Sequence, residues 1–122
     1  MPELLSDRST ILIVEDEILI RLMAEDHFAD AGYTVLSAGS VDEAVDHLER
    51  KSDIRFAFID VSLDTPFAGA DLATTICDRW PTLKIIVTSA RPPDGINLPQ
   101  QAIFMPKPYD LSQVMQALDV MA

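Results

Sequence analysis

The sequence predicts an α/β fold, a doubly wound five-stranded parallel sheet with helices on both faces. Three observations predict it: five short apolar runs, helical periodicity between them, and helix start and stop signals at the junctions. Strands covered on both faces read as unbroken apolar runs, and right-handed crossovers carry the intervening helices to either side.

Met1 to Ser9 reads as a polar tail and residues 10–122 as one domain. Thr10 to Val14 (TILIV) is a short, unalternating, β-branched run and forms the first strand. From Glu17 to Ala31 the apolar residues Ile18, Leu19, Leu22, Met23 and Ala29 recur at helical spacing, and Gly32 is placed to cap the end. Tyr33 to Ser37 resumes as strand. Ser40 with Glu43 three residues on is a capping box opening a second helix to about Lys51. Arg55 to Asp60 is the third strand, and a loop through Pro66 and Gly69 leads to a helix over Ala70 to Arg79 that Pro81 stops. Lys84 to Ser89 is the fourth strand and Ala102 to Met105 the fifth, after which Asp110 caps a last helix to Met121.

At 122 residues and 48% hydrophobic, the chain can bury one core but has no room for a second. The single Cys77 cannot form an internal disulfide, Glu3 and Asp7 are out of place in a secretion signal, and no apolar run approaches the roughly 20 residues that span a bilayer. The expected location is the cytoplasm. A formal charge of -11 argues against nucleic acid or an anionic membrane as a direct partner, since both select for basic patches.

Chemistry concentrates at the strand ends. Glu15 and Asp16 follow the first strand, Asp60 ends the third, Ser89 ends the fourth and Lys107 follows the fifth. In an open α/β sheet the carboxyl ends of the strands converge on one crevice, so three carboxylates, a hydroxyl and an ammonium are expected there. That set suits a divalent metal and a phosphoryl group. Asp60 is the candidate nucleophile, because a strand-end carboxylate can attack a phosphoryl donor to give an acyl phosphate. Glu15 and Asp16 would hold Mg²⁺, a hard cation that takes oxygen ligands and relieves the mutual repulsion of the acids. Lys107 would offset charge on the phosphoryl oxygens. Either Thr88 or Ser89 would give them a hydroxyl, since strand alternation lets only one face the crevice.

Read together, Val14-Glu15-Asp16, the strand end Ile59 to Leu63 (IDVSL), Val87 to Ala90 (VTSA) and Lys107-Pro108 resemble the receiver domain of bacterial two-component response regulators, the fold of the chemotaxis regulator. The resemblance spans Ile11 to Met121. It implies the strand order 2-1-3-4-5, Asp60 as phosphoacceptor, direct Mg²⁺ ligation by Asp16 and Asp60, and ligation by Glu15 through water. It also implies a further ligand in the backbone carbonyl of Ser62. A hydroxyl residue directly before Ala selects Ser89 rather than Thr88, which then reads as a core residue. Phe104, three residues before Lys107, takes the place of the aromatic residue that moves when the hydroxyl swings toward phosphate. Tyr109 reads as a partly exposed ring beside the last helix.

Two departures stand out. The stretch between Ser89 and Lys107 is shorter than the family's usual one and carries Pro92, Pro93, Gly95 and Pro99, so a helix between the fourth and fifth strands is expected to be short or absent. The loop after Asp60 is about one residue longer than the common form and places Asp64 near the site, where it reads as solvated. His27 and His47 follow no ligand spacing and read as surface residues, Trp80 packs on the end of its helix, and the methionines fill core gaps.

The resulting expectation is a stand-alone receiver, not an enzyme in the usual sense, that takes a phosphoryl group from a histidine kinase or histidine phosphotransfer protein. It would signal by contact with an unidentified downstream protein, as a monomer or weak homodimer. Two rivals stand beside it. A phosphorylation-independent interaction module is motivated by the shortened stretch after Ser89. A Mg²⁺-dependent phosphohydrolase of the haloacid dehalogenase type would need a second acid two residues after Asp60, where Ser62 stands.

Overall fold

The computed structural model describes residues 9–60, 68–89, 101–106 and 109–121. The elements follow in the order β1 (Thr10–Val14), α1 (Ile18–Asp30), β2 (Thr34–Ala38), α2 (Val41–Arg50), β3 (Ile54–Asp60), α3 (Ala68–Arg79), β4 (Lys84–Ser89), β5 (Ala102–Pro106) and α4 (Leu111–Met121). The sheet has the order β2-β1-β3-β4-β5, and every neighbouring pair is parallel. Both the fold class and the strand order are those expected. The stretch in which a helix was expected to be short or absent, residues 90–100, lies outside the described residues, as does the lengthened loop at 61–67 that carries Asp64.

Alternation along the strands divides the core into two layers. Leu12, Val14, Ala57, Ile59, Ile85 and Val87 face one side, where Ala44 and Leu48 of α2 and Leu72, Ala73 and Ile76 of α3 cover them. Ile11, Ile13, Phe56, Phe58 and Ile86 face the other, under Ala24 and Phe28 of α1 and Val114 and Leu118 of α4. The described side chains of β1, β3 and β4 are almost wholly buried, whereas the edge strands β2 and β5 are half exposed. Pro106 ends an edge strand, the position where a missing N–H is tolerated.

The junctions are closed by local chemistry. Gly32 has φ 99°, and the Tyr33 and Gly32 amides donate to the carbonyls of Phe28 and Ala29, so α1 ends in a Schellman motif. Tyr33 is spent on that motif and on a buried ring site, which moves the start of β2 one residue beyond the expected Tyr33 to Thr34. Ser40 Oγ accepts from the Glu43 amide at 3.2 Å as the capping box requires, while the Glu43 carboxylate reaches one residue further back, to the Gly39 amide at 2.8 Å. Asp110 caps α4 through the Ser112 amide at 3.1 Å, and Gln113 returns to the Asp110 amide at 3.0 Å.

The α1 surface differs from the expectation. Its buried residues are Ala24 and Phe28, and Ile18, Leu19, Leu22 and Met23 are exposed, with Leu19 at 76% and Met23 at 65%. Met23 is therefore not a core gap filler, although Met105 and Met115 do pack against the core. The two histidines are half-buried rather than free on the surface: His47 Nε2 lies 2.9 Å from the Ser37 carbonyl, and His27 meets Phe28 edge to face at 5.8 Å. Trp80 packs against the core beyond α3 as expected, with the Arg79 guanidinium over its ring at 4.4 Å.

Candidate active site

Sheet register determines what meets at the carboxyl edge. Val14 pairs with Ile59 across β1 and β3, so the next residues, Glu15 and Asp60, are neighbours. Asp60 pairs with Thr88 on β4, and Thr88 with Met105 on β5. One row thus runs Glu15, Asp60, Thr88, Met105 across four strands. Ile59 and Val87 belong to the layer under α2 and α3, so alternation puts Asp60 and Thr88 on the opposite face with Phe58 and Ile86. Asp60 is 3% exposed and Glu15 4%.

The turn from β1 to α1 is held at three points. The Glu15 amide donates to the Ala38 carbonyl at 2.9 Å, Arg21 Nη1 donates to the Glu15 carbonyl at 3.1 Å, and the Glu17 amide donates to Glu15 Oε2 at 3.1 Å. Glu17 is the N-cap residue of α1 without a side-chain bond of its own, so the Glu15 carboxylate does the capping, at the positive end of the helix dipole. The role of Arg21 was not read from the sequence. It needs a tertiary approach across Gly39, where any Cβ would run into the guanidinium, and residue spacing carries no sign of that.

Tyr109 is the second residue the sequence underrated. Its half-buried ring meets Phe58 edge to face at 5.4 Å, and Phe58 in turn meets Phe28, which links α1 to the site through stacked aromatic edges. Burial, with the charges of Glu15 and Asp60 behind it, pushes the phenol up from 10 to about 12. The hydroxyl therefore stays neutral in the physiological range, close to two acids. The single signal available was its position two residues after Lys107.

Of the remaining candidates, Asp16 is exposed at the rim and does not close with Glu15 and Asp60 into a three-acid cluster among the described residues. Ser89 ends β4 opposite Pro106, and its side chain lies outside the described set, as do Ser62 and Lys107. Phe104 is half-buried on β5, paired with Val87. A hollow of about 420 Å³ lined by Ser52, Asp53, Arg55 and Thr82 lies at the amino end of β3, away from the acids.

The donor set fits a hard cation. Glu15 and Asp60 bring anionic oxygen, and no sulfur or nitrogen, to one buried place, and two adjacent buried carboxylates are stabilised by a shared divalent ion. Mg²⁺ would be held by these two with Asp16 at the rim. There it would supply charge neutralisation for an incoming anion.

The shift at Tyr109 has a definite consequence. The folded state holds that proton more tightly than the unfolded chain, so the stability it contributes is complete below pH 10 and is lost as pH rises toward about 12. Absorbance titration of the tyrosinate should show a transition near that upper value, absent in Tyr109→Phe, and urea unfolding should show a smaller alkaline loss in the variant. Ionisation of Tyr109 at the pH of a free tyrosine would contradict its placement.

Comparison with known proteins agrees with the fold. The sensor kinase CckA of Brucella abortus is 32% identical over 115 residues, which cover 90% of this chain and 12% of that protein, so the chain spans a small part of its curated relative. A response regulator receiver protein from Sinorhizobium medicae superposes with a TM-score of 0.82 at 24% identity over 94% of each chain. The response regulator TrrA of Thermotoga maritima, solved in complex with Mg(2+)-BeF, gives 0.80 at 19% identity, over 94% of this chain and all (100%) of that one. The model of the response regulator receiver domain matches residues 11–119, and the chain belongs to that family of two-component signalling domains.

Proposed function

We propose that the chain accepts a phosphoryl group on Asp60 from a phosphohistidine in a Mg²⁺-dependent reaction and passes the signal on by protein contact. The observation that carries this reading is the buried Asp60 carboxylate at the carboxyl end of β3, beside the equally buried Glu15. An Asp60 oxygen attacks phosphorus as the P–N bond breaks. The electron pair goes to the imidazole nitrogen, and an acyl phosphate remains on the aspartate. Glu15, Asp16, Asp60 and the Ser62 carbonyl would hold Mg²⁺, which would supply charge neutralisation for the transferring group, and Lys107 and Ser89 would contact its oxygens. Phe104 responds to the change at Ser89. The chain turns over no substrate of its own beyond its phosphorylation and the slow hydrolysis of the acyl phosphate, and it works in the cytoplasm.

The α1 surface supports a protein donor. Ile18, Leu19, Leu22 and Met23 begin two residues after Asp16 and form an exposed apolar strip at the rim of the site. A phosphohistidine that reaches Asp60 brings its own helix or loop over that strip, and burying such side chains contributes roughly 25 cal/mol per Å² of apolar area. A histidine kinase or histidine phosphotransfer protein is the partner of matching chemistry.

Intact mass after incubation with phosphoramidate should rise by one phosphoryl group in the native chain, only with Mg²⁺ present, and not in Asp60→Asn. Incorporation without Mg²⁺, or equal incorporation in the variant, would contradict the reading. Leu19→Glu should slow transfer from a phosphorylated histidine phosphotransfer protein about tenfold and leave phosphoramidate labelling unchanged. Equal slowing with both donors would place the effect in the site and not in docking.

A further inference from the structure

Thr88 is 1% exposed, and its Oγ1 is the one buried side-chain polar atom among the described residues that has no hydrogen-bond partner. An unmade buried hydroxyl is destabilising, and valine would fill the same space without it. The resting fold therefore carries a hydroxyl it does not use. Its neighbours in the row say what it is placed beside. On the β5 side stands Met105, a weak acceptor, and on the β3 side stands Asp60, in direct register and on the same face of the sheet. Registered residues on adjacent strands sit about 5 Å apart, and a change of the threonine χ1 rotamer sweeps Oγ1 across that gap.

We infer that Thr88, which register and alternation place on the Asp60 face of β4, supplies a hydroxyl to the phosphoryl site and donates to the group carried by Asp60, in addition to Ser89 at the strand's last position, where alternation ceases to fix the face. The inference rests on the proposed phosphoryl acceptance. In the unphosphorylated chain the hydroxyl is idle. The resting Asp60 carboxylate does not meet that hydroxyl, whereas an acyl phosphate extends the side chain by a phosphoryl group whose oxygens reach beyond the carboxylate, and the unmet donor then finds an acceptor. No bond is made or broken by Thr88. It orients the modified aspartate and favours the modified state over the resting one. A threonine that reads as a β-branched core residue is thereby a polar member of the site.

The probe is beryllofluoride with Mg²⁺, a stable stand-in for the phosphoryl group, titrated calorimetrically into the full chain and into Thr88→Val, Thr88→Ser and Asp60→Asn. A single neutral hydrogen bond corresponds to about a fivefold change in affinity. Thr88→Val should bind at least threefold more weakly than the native chain, with an unliganded melting temperature equal to or above the native one, and Thr88→Ser should restore affinity. Binding by Thr88→Val within threefold of the native chain would overturn the inference and leave the proposed function standing. A Thr88→Val chain that melts lower or does not fold would also overturn it, because the hydroxyl would then serve the resting fold. Failure of the native chain itself to bind would remove both.

Discussion

Two carboxylates buried side by side at the carboxyl ends of adjacent central strands are the constraint around which the rest is arranged. Burying one ionised acid is unfavourable, and placing a second beside it adds repulsion. Local contacts hold Glu15 in this place. The Glu15 carboxylate accepts the Glu17 amide at the start of α1, and the Arg21 guanidinium fixes the Glu15 carbonyl. Burial first, and the charge of the two acids second, keep the proton on the Tyr109 phenol. Mg²⁺, the cation proposed for this site, would offset that charge and so let an anionic phosphoryl group approach.

Parallel register makes this arrangement possible. Because β1, β3 and β4 run in the same direction, Glu15, Asp60 and Thr88 at their carboxyl ends fall in one row, and helices on both faces keep water from the strands beneath it. Edge strands give the row its ends, with β2 supplying the Ala38 carbonyl that anchors Glu15 and β5 supplying Met105. The aromatic chain from Phe28 through Phe58 to Tyr109 joins the packing of α1 to the position of the phenol.

Much of the fold was legible because its signals are local. The apolar run TILIV is β1 residue for residue, Lys84–Ser89 is β4, and the Ser40, Gly32 and Asp110 caps all stand where their side chains and backbone freedom predict. What the sequence misled on is tertiary. Periodicity finds a helix at α1 but does not say which stripe is buried, and here small Ala24 and large Phe28 face the sheet while Leu19 and Met23 face outward. The acidic positions could be read as strand ends, yet the pairing of Glu15 with Asp60 and the rim position of Asp16 depend on register. Arg21 reaches the site across space, so no spacing rule marks it, and Tyr109 is marked by its place two residues after Lys107 alone.

The central claim is that Asp60, and no other acid at this edge, carries the phosphoryl group. Borohydride reduction of the phosphorylated chain converts an acyl phosphate to an alcohol and so marks the modified aspartate as homoserine, which peptide sequencing by mass spectrometry can place. The account predicts homoserine at position 60 alone. Homoserine at position 16 or 64, or full phosphoryl incorporation with none at position 60, would contradict it.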